Sequence, residues 1–192
     1  MSEHSDFLKA FFRSASNVGA IAPSSNRLAC LMTDWFDWNE VDNVLEFGPG
    51  TGVVTEVIQS RKKDDTFFMA IERDPELAAI SRQRCPGVNI TQDCVTKVAE
   101  LCEKEGVSSV EVILSGLPWA SFPKELQDRC LEAMFSVLPP GGRFATFAYL
   151  QGLMLPAGKR FRKLLDEHFS SVEISPTAWK NLPPAFVYRC VR

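Results

Sequence analysis

The chain has 192 residues, of which 45% are hydrophobic and 23% charged, and its formal net charge is −3 at pH 7. This length allows one compact domain with a substantial core. The negative net charge gives no general attraction for nucleic acid, so we expect no nucleic-acid partner. No run reaches the roughly 18 apolar residues of a membrane span and no secretory signal is evident, so the sequence predicts a cytoplasmic protein.

Six cysteines are spread along the chain, with no CxxC pair and no histidine at ligand spacing. In a chain without a secretory signal, this pattern predicts reduced thiols rather than disulfides. It also predicts that the protein holds no metal.

Two helical patterns come first in the chain. Residues 25–36 follow Pro23-Ser24-Ser25, which predicts an N-cap. Residues 5–15 form an apolar stripe flanked by Lys9 and Arg13, and the stripe contains Phe7, Leu8, Phe11 and Phe12. We divide the single domain 1–192 into an N-terminal helical extension, 1–38, and a Rossmann-like core, 39–192.

Apolar runs alternate with amphipathic patterns along the rest of the chain. The predicted strands are about 43–47, 66–72, 88–92, 110–115 and 143–149. The predicted helices are about 51–61, 75–84, 95–104, 123–137 and 157–168. Continuous apolar strands separated by helices predict a parallel α/β sheet with helices on both faces.

Two further strands, 172–174 and 185–188, are joined without a crossover helix and are therefore expected to pair antiparallel. The complete prediction is a mostly parallel seven-stranded sheet with an antiparallel C-terminal strand.

A glycine-spaced turn follows the first strand, where residues 44–52 read VLEFGPGTG. Such a turn brings a ligand close to the main chain at the N-terminus of a helix. The third glycine, Gly52, comes one residue earlier than in the dinucleotide fingerprint G-x-G-x-x-G. The nearby acid Glu46 disfavours a pyrophosphate and favours a cationic ligand group.

Two more acids follow the next two strands. Glu72 lies 20 residues after Gly52 (72 − 52), near the distance at which an acid binds ribose hydroxyls in nucleotide-binding folds. Asp93 ends the third strand, where we expect it to accept an amino N–H of an adenine ring. Asp74-Pro75 predicts a helix cap. A cationic tail, a ribose and an aminopurine together describe S-adenosylmethionine. The predicted cofactor-binding residues are Glu46, Gly48, Pro49, Gly50, Thr51, Gly52, Glu72, Arg73, Asp93 and Cys94.

The fourth strand runs into Ser115-Gly116-Leu117-Pro118-Trp119. The glycine turn with Glu72 and Asp93 resembles that of class I methyltransferases, in which this strand end faces the departing methyl group. Adenine methylators of that class carry Asn or Asp before Pro-Pro-aromatic, or Asn before Leu-Pro-aromatic. Ser115-Gly116 stands in place of that polar residue, which disfavours adenine as the acceptor.

Four segments in order resemble the bacterial phospholipid N-methyltransferases: residues 18–25, 115–118, 138–142 and 179–185. That family methylates phosphatidylethanolamine towards phosphatidylcholine and is similar to the rRNA adenine dimethylases. The resemblance implies S-adenosylmethionine, no metal, and a protein that is soluble or peripheral on a membrane. A lipid substrate also favours reversible contact of residues 5–15 with an anionic membrane surface, and the basic cluster Lys159-Arg160-Arg162-Lys163 is a second candidate for such contact.

The predicted acceptor site combines main-chain and aromatic groups. Ser115 precedes Gly116 and Leu117 in this site, and carbonyl groups around Gly116–Leu117 would orient the amine. The rings of Trp119 and Tyr149 would face the cationic product. Trp179 and Asn181 are predicted to border the acceptor pocket. Three alternatives remain open: methylation of rRNA adenine, methylation of another small amine or aminolipid such as an ornithine lipid, and a non-catalytic module that binds S-adenosylmethionine. The oligomeric state is left open.

Overall fold

The structure is a computed structural model that describes residues 25–192. The predicted helix 5–15 and most of the segment 18–25 lie outside the described residues.

A seven-stranded sheet runs through the described part of the chain in the order β3-β2-β1-β4-β5-β7-β6. The strands are β1 Asn43–Phe47, β2 Phe67–Glu72, β3 Asn89–Gln92, β4 Val112–Ser115, β5 Arg143–Tyr149, β6 Ser171–Ile174 and β7 Ala185–Val191. Strands β1 to β5 pair in parallel, and β7 pairs antiparallel with both β5 and β6. The predicted Rossmann-like sheet with an antiparallel C-terminal strand is confirmed.

Helices cover both faces of this sheet. They are α1 Asn26–Thr33, α2 Val53–Arg61, α3 Pro75–Arg84, α4 Val98–Lys104, α5 Lys124–Val137 and α6 Pro156–His168. Short 3₁₀ turns lie at Trp38–Glu40, Val95–Lys97, Trp119–Ser121 and Leu150–Met154. Apolar side chains of α1, α2 and α3 pack on one face, and those of α4, α5 and α6 pack on the other.

Two helix starts follow their capping residues. The Asp74 carboxylate accepts hydrogen bonds from the backbone N–H groups of Glu76 and Leu77, at 2.9 and 3.2 Å, and Pro75 occupies the first helical position. The hydroxyl of Ser25 accepts from the N–H of Leu28 at 3.2 Å. Both caps were predicted from sequence.

Three predicted helices need their bounds corrected. The helix predicted at 25–36 ends at Thr33, and a separate 3₁₀ turn follows at Trp38–Glu40. The helix predicted at 51–61 begins at Val53, because Gly52 adopts the left-handed conformation with φ of 82°. The helix predicted at 95–104 opens as a 3₁₀ turn and becomes α-helical only at Val98.

Candidate functional site

The predicted site residues lie along one edge of the sheet. Parallel strands bring their carboxyl ends to the same edge, which is where open α/β sheets bind ligands. The glycine loop follows β1, Glu72 ends β2, Asp93 follows β3, and Ser115 ends β4. Tyr149 ends β5 at the same edge.

The glycine loop turns from β1 into the start of α2. Gly48, Gly50 and Gly52 all have positive φ, at 69°, 58° and 82°. These values favour glycine because other residues rarely adopt them. A Cβ placed on Gly50 would meet no atom within 4 Å, so the main chain is open at this point. Pro49 is buried and Thr51 half-buried beside it.

The carboxylate of Glu72 is tied to the glycine loop. One oxygen accepts a hydrogen bond from the N–H of Gly50 at 3.0 Å, and the other accepts from the N–H of Asp74 at 2.9 Å. The side chain is 6% exposed, and this burial raises the pKa of Glu72 while the backbone N–H groups act in the opposite sense. Each carboxylate oxygen has a further lone pair, so two hydroxyl groups can still be bound. Arg73, next in the chain, is half-buried.

Asp93 lies next to Glu72 at the end of β3. Its N–H donates to the carbonyl oxygen of Glu72 at 3.1 Å. The N–H of Cys94, at 2.7 Å, is the first cause of a lowered pKa of Asp93, and the ammonium of Lys97 is the second. Asp93 is therefore an ionised acceptor at neutral pH. Cys94 is half-buried, and its sulfur accepts from the hydroxyl of Thr96.

Glu46 lies within β1, two residues before the first glycine of the loop. Along β1, Leu45 and Phe47 face α4 to α6, so Glu46 faces the side covered by α1 to α3. It is 1% exposed, and burial raises its pKa to about 8, which leaves it mainly protonated at neutral pH. Within the described residues its Oε2 has no hydrogen-bond partner.

The segment after β4 contacts the glycine loop directly. The N–H of Gly116 donates to the carbonyl of Phe47 at 2.8 Å. A Cβ on Gly116 would lie 2.5 Å from the carbonyl oxygen of Gly48, and a Cβ on Gly48 would lie 2.6 Å from a methyl carbon of Leu117. The Gly48 carbonyl therefore leaves no room for a side chain at Gly116, whereas at Gly48 the positive φ is what favours glycine.

Ser115 organises that segment from the core side. Its hydroxyl oxygen accepts from the N–H of Leu117 at 3.3 Å and from the indole N–H of Trp119 at 2.9 Å. The hydroxyl of Thr146 donates to the Ser115 carbonyl at 3.1 Å. Sequence reasoning missed Thr146, although a polar residue within the apolar run of β5 was a signal.

The two predicted acceptor aromatics lie in different surroundings. Trp119 is buried in the core, stacked on Phe161 and edge-on to Phe144. A ring enclosed in this way offers no face to a substrate. Tyr149 is half-buried at the carboxyl end of β5, packed edge-on against Phe147.

The two residues that remain, Trp179 and Asn181, both lie in the loop between β6 and β7. Trp179 is 69% exposed. Asn181 is buried, where its side-chain oxygen accepts from the N–H of Ser25 at 3.0 Å and its nitrogen donates to the carbonyl of Pro183 at 2.7 Å. Asn181 thus joins the C-terminal loop to the start of α1.

Solved structures share this fold over most of its length. An O-methyltransferase of Streptomyces achromogenes involved in tomaymycin synthesis, in complex with S-adenosylmethionine, has a TM-score of 0.65 at 14% identity, with 100% of both chains covered. An O-methyltransferase of Bacillus cereus in complex with S-adenosylhomocysteine has a TM-score of 0.63 at 13% identity, covering 96% of this chain and 90% of that one. The fold is that of the class I methyltransferases.

Two sequence comparisons extend this result. The family model for protein-L-isoaspartate(D-aspartate) O-methyltransferase (PCMT) matches residues 3–111, which include the glycine loop but end before the segment after β4. An ornithine lipid N-methyltransferase of Singulisphaera acidiphila is 31% identical over 187 residues, covering 96% of this chain and 93% of the relative. By these matches the chain belongs to the S-adenosylmethionine-dependent methyltransferases, in the family of the ornithine lipid N-methyltransferase.

The described residues fit S-adenosylmethionine, which is the cofactor. The main chain is open at Gly50, and Glu72 and Asp93 provide acceptors at adjacent strand ends. Within residues 25–192, no cluster of three or more His, Cys, Asp or Glu side chains is placed to hold a metal ion. In the same part of the chain, no helix is long and apolar enough to cross a bilayer.

Proposed function

We propose that this protein methylates the primary amine of a membrane lipid headgroup. The observation that carries the proposal is the full-length similarity to an ornithine lipid N-methyltransferase, which extends through the segment after β4. Ornithine lipid and phosphatidylethanolamine share the relevant chemistry, a primary amine on a two-chain lipid. The motif resemblance favours phosphatidylethanolamine, and the named relative favours ornithine lipid.

In this proposal the glycine loop and the two strand-end acids hold the cofactor. Glu72 accepts hydrogen bonds from the ribose hydroxyls through its remaining lone pairs, and Asp93 accepts the amino N–H of the adenine ring. Gly48, Gly50 and Gly52 let the cofactor approach the main chain. When bound, S-adenosylmethionine supplies an electrophilic methyl group on a sulfonium.

Glu46 acts from the buried interior of β1. Its unpartnered Oε2 is an acceptor in a buried site, and a positive charge above the loop would favour ionisation of this carboxyl. The protonated state of Glu46 thus belongs to the cofactor-free protein. Glu46 contributes to the cofactor site through the field of its charge rather than through direct contact.

The acceptor amine must be neutral and aligned with the methyl group. Within the described residues the carbonyl of Gly116 accepts no hydrogen bond, whereas that of Leu117 accepts from the N–H of Trp119 at 2.9 Å. The Gly116 carbonyl is therefore the main-chain acceptor we assign to the amine N–H. Because Gly116 contacts Gly48, this carbonyl lies next to the cofactor loop. Tyr149 provides a ring near the same edge for the methylated, cationic product.

The geometry at Gly116 also bears on the adenine alternative. A side-chain amide at this position, as adenine methylators use, requires a Cβ that would lie 2.5 Å from the Gly48 carbonyl oxygen. The chain thus lacks both the amide and the space for it. This observation favours a lipid amine over an adenine acceptor.

The proposal is tested with the full chain and methyl-labelled S-adenosylmethionine. Separate reactions contain vesicles with phosphatidylethanolamine, vesicles with ornithine lipid, and vesicles of phosphatidylcholine alone, which has no primary amine. Thin-layer separation is expected to show labelled product with one or both amine lipids and none with phosphatidylcholine. An additional reaction contains an isoaspartyl peptide, because of the family match over residues 3–111. Labelling of the peptide without labelling of any lipid would overturn the proposal.

A further inference from the structure

We propose that exposed apolar residues beside the acceptor edge dock the protein on an anionic bilayer. These residues, which we call the docking patch, are Leu153, Met154, Leu155, Trp179 and Leu182. Met154 is 82% exposed and Leu182 is 60% exposed. Single exposed apolar side chains are common, but a group of five on two neighbouring segments is the kind of surface that marks an interaction site. The inference rests on the proposed lipid substrate and adds where the bilayer lies.

The two segments of the patch leave the sheet at the same point. Tyr149, the last residue of β5, pairs with Ala185, the first residue of β7. One residue further out, the N–H of Leu150 donates to the carbonyl of Pro184 at 2.8 Å. The 3₁₀ turn Leu150–Met154 and the loop 176–184 therefore extend side by side from the carboxyl end of β5.

This position is close to the acceptor segment. β5 is the direct neighbour of β4, which carries Ser115, and β7 is the next strand beyond it. Ser115 pairs with Thr146, three residues before the end of β5. With strands spaced by about 4.8 Å and a rise of about 3.3 Å per residue, the two segments leave the sheet roughly 10 to 15 Å from the end of β4. A bilayer on the patch would present its headgroups at the edge where Gly116 and Tyr149 lie.

The backbone beneath the patch is well anchored, so the exposure does not come from a loose loop. The N–H of Ala178 donates to the carbonyl of Ala185 at 2.7 Å, and buried Asn181 fixes the middle of the loop. The 3₁₀ turn packs on the first turn of α6, where Gly158 lies against the carbonyl of Gly152. The apolar side chains are thus presented outward by a fixed backbone.

The charged residues around the docking patch favour an anionic bilayer as its binding partner. Residues 150–160 and 176–185 contain no Asp or Glu, although the whole chain carries a net charge of −3. Instead they contain Lys159, Arg160 and Lys180, which are all exposed and which form no ion pair within residues 25–192. Apolar side chains surrounded by cations without acids are typical of surfaces that insert at the headgroup boundary of anionic membranes. Trp is enriched at that boundary because its ring has an apolar body and a polar N–H.

The test measures vesicle binding without catalysis. The full chain and a Met154→Glu, Leu182→Glu double variant are sedimented with vesicles of phosphatidylglycerol and phosphatidylcholine, which contain no primary-amine lipid. The matched control is Ile80→Glu, because Ile80 is also an exposed apolar residue but lies on α3, away from the patch. A Lys180→Ala variant tests the charge contribution.

The parent protein and the control are expected to bind anionic vesicles. The double variant is expected to bind them at least about tenfold more weakly. Lys180→Ala is expected to weaken binding about fivefold, since one cation near an anionic surface contributes about 1 kcal/mol. The double variant should still methylate a short-chain, monomeric aminolipid at the parent rate. If no aminolipid is methylated but the double variant loses vesicle binding, the proposed function fails while the docking surface stands.

Four results would overturn the docking surface. The first is that the parent protein fails to bind anionic vesicles, and the second is that the double variant binds them as well as the parent does. Alternatively, sedimentation shows a parent dimer that the double variant dissociates, which would make a second copy the occupant. Finally, the double variant melts at a lower temperature than the Ile80→Glu control, which would mean that residues of this chain, such as 1–24, cover the patch.

Discussion

Gly116 lies against the backbone of Gly48, and the Gly48 carbonyl excludes a side chain at position 116. A Cβ on Gly116 would lie 2.5 Å from the carbonyl oxygen of Gly48, which is shorter than real Cβ contacts. One residue belongs to the predicted acceptor segment and the other to the glycine loop. The positions of the two loops are therefore coupled, and a displacement of one is transmitted to the other.

We expect Gly116→Ala to weaken both stability and cofactor binding. The added methyl group forces the two loops apart, at a cost of roughly 1–3 kcal/mol in the free energy of unfolding. Urea unfolding and calorimetric titration with S-adenosylmethionine measure the two effects. The control is Gly152→Ala, because a Cβ on Gly152 would meet no atom within 4 Å. An alanine variant at 116 with parental stability and affinity would show that the loops are free to separate.

Glu72→Gln is expected to weaken S-adenosylmethionine binding by about 1.5–3 kcal/mol, or roughly 10- to 100-fold in Kd. The substitution removes the charge from the carboxylate and turns one acceptor into a donor facing the N–H of Gly50 or Asp74. Calorimetry gives the change in Kd. Glu76→Gln, an exposed change two residues into α3, should leave Kd unaltered. An unaltered Kd for Glu72→Gln would exclude Glu72 from the cofactor site.

The buried carboxyl of Glu46 predicts a pH effect on stability. Its pKa is about 8 in the folded protein against 4.5 in the unfolded chain, so between these values the folded state retains a proton that the unfolded state has lost. This carboxyl therefore contributes fully to stability below pH 4.5, and the contribution is lost as the pH rises to about 8.

Since glutamine stays neutral, Glu46→Gln should match the parent protein near pH 4. Near pH 8 it should be more stable by roughly 4 kcal/mol, because each pH unit between pKa values of 4.5 and about 8 is worth about 1.4 kcal/mol. Urea unfolding across this pH range measures the difference, with Glu40→Gln as the exposed control. A difference that does not change with pH would mean that Glu46 ionises as easily in the folded chain as in the unfolded one.

Asn181→Ala should lower the free energy of unfolding by roughly 1–3 kcal/mol, because it leaves the N–H of Ser25 and the carbonyl of Pro183 without their partner. The exposed change Asn39→Ala serves as the control. Steady-state kinetics separates this structural role from the predicted contact with substrate. If the KM for the lipid rises while stability stays constant, the side chain acts on the substrate instead.

Strands β1, β2, β4, β5 and β7 were predictable because each is largely an apolar run bounded by polar or turn residues. The predicted bounds of β1 and β5 agree with the structure at both ends. Helix starts were harder to place: 95–104 opens with a 3₁₀ turn, and the start of α2 depends on the left-handed conformation of Gly52. A hydrophobic pattern does not encode such local conformations.

The site was predictable as a set of strand ends, because parallel strands place their carboxyl ends together. The orientation of individual side chains was not. β1 is buried on both faces, so no alternation in its sequence shows that Glu46 lies under α2 and α3. Likewise, the enclosure of Trp119 depends on Phe144 and Phe161, and the bond from Ser25 to Asn181 joins residues 156 positions apart.

The attachment of α1 to the end of the chain has a consequence for biosynthesis. Besides the Asn181 bond, Arg189 on β7 donates to the carbonyl of Leu31 at 2.9 Å and pairs with Asp34. In a nascent polypeptide, α1 therefore lacks these contacts until β7 has left the ribosome. A premature stop that removes only β7 would leave α1 held by its packing on α2 and β5 alone, so such a product is expected to be less stable and to aggregate more readily.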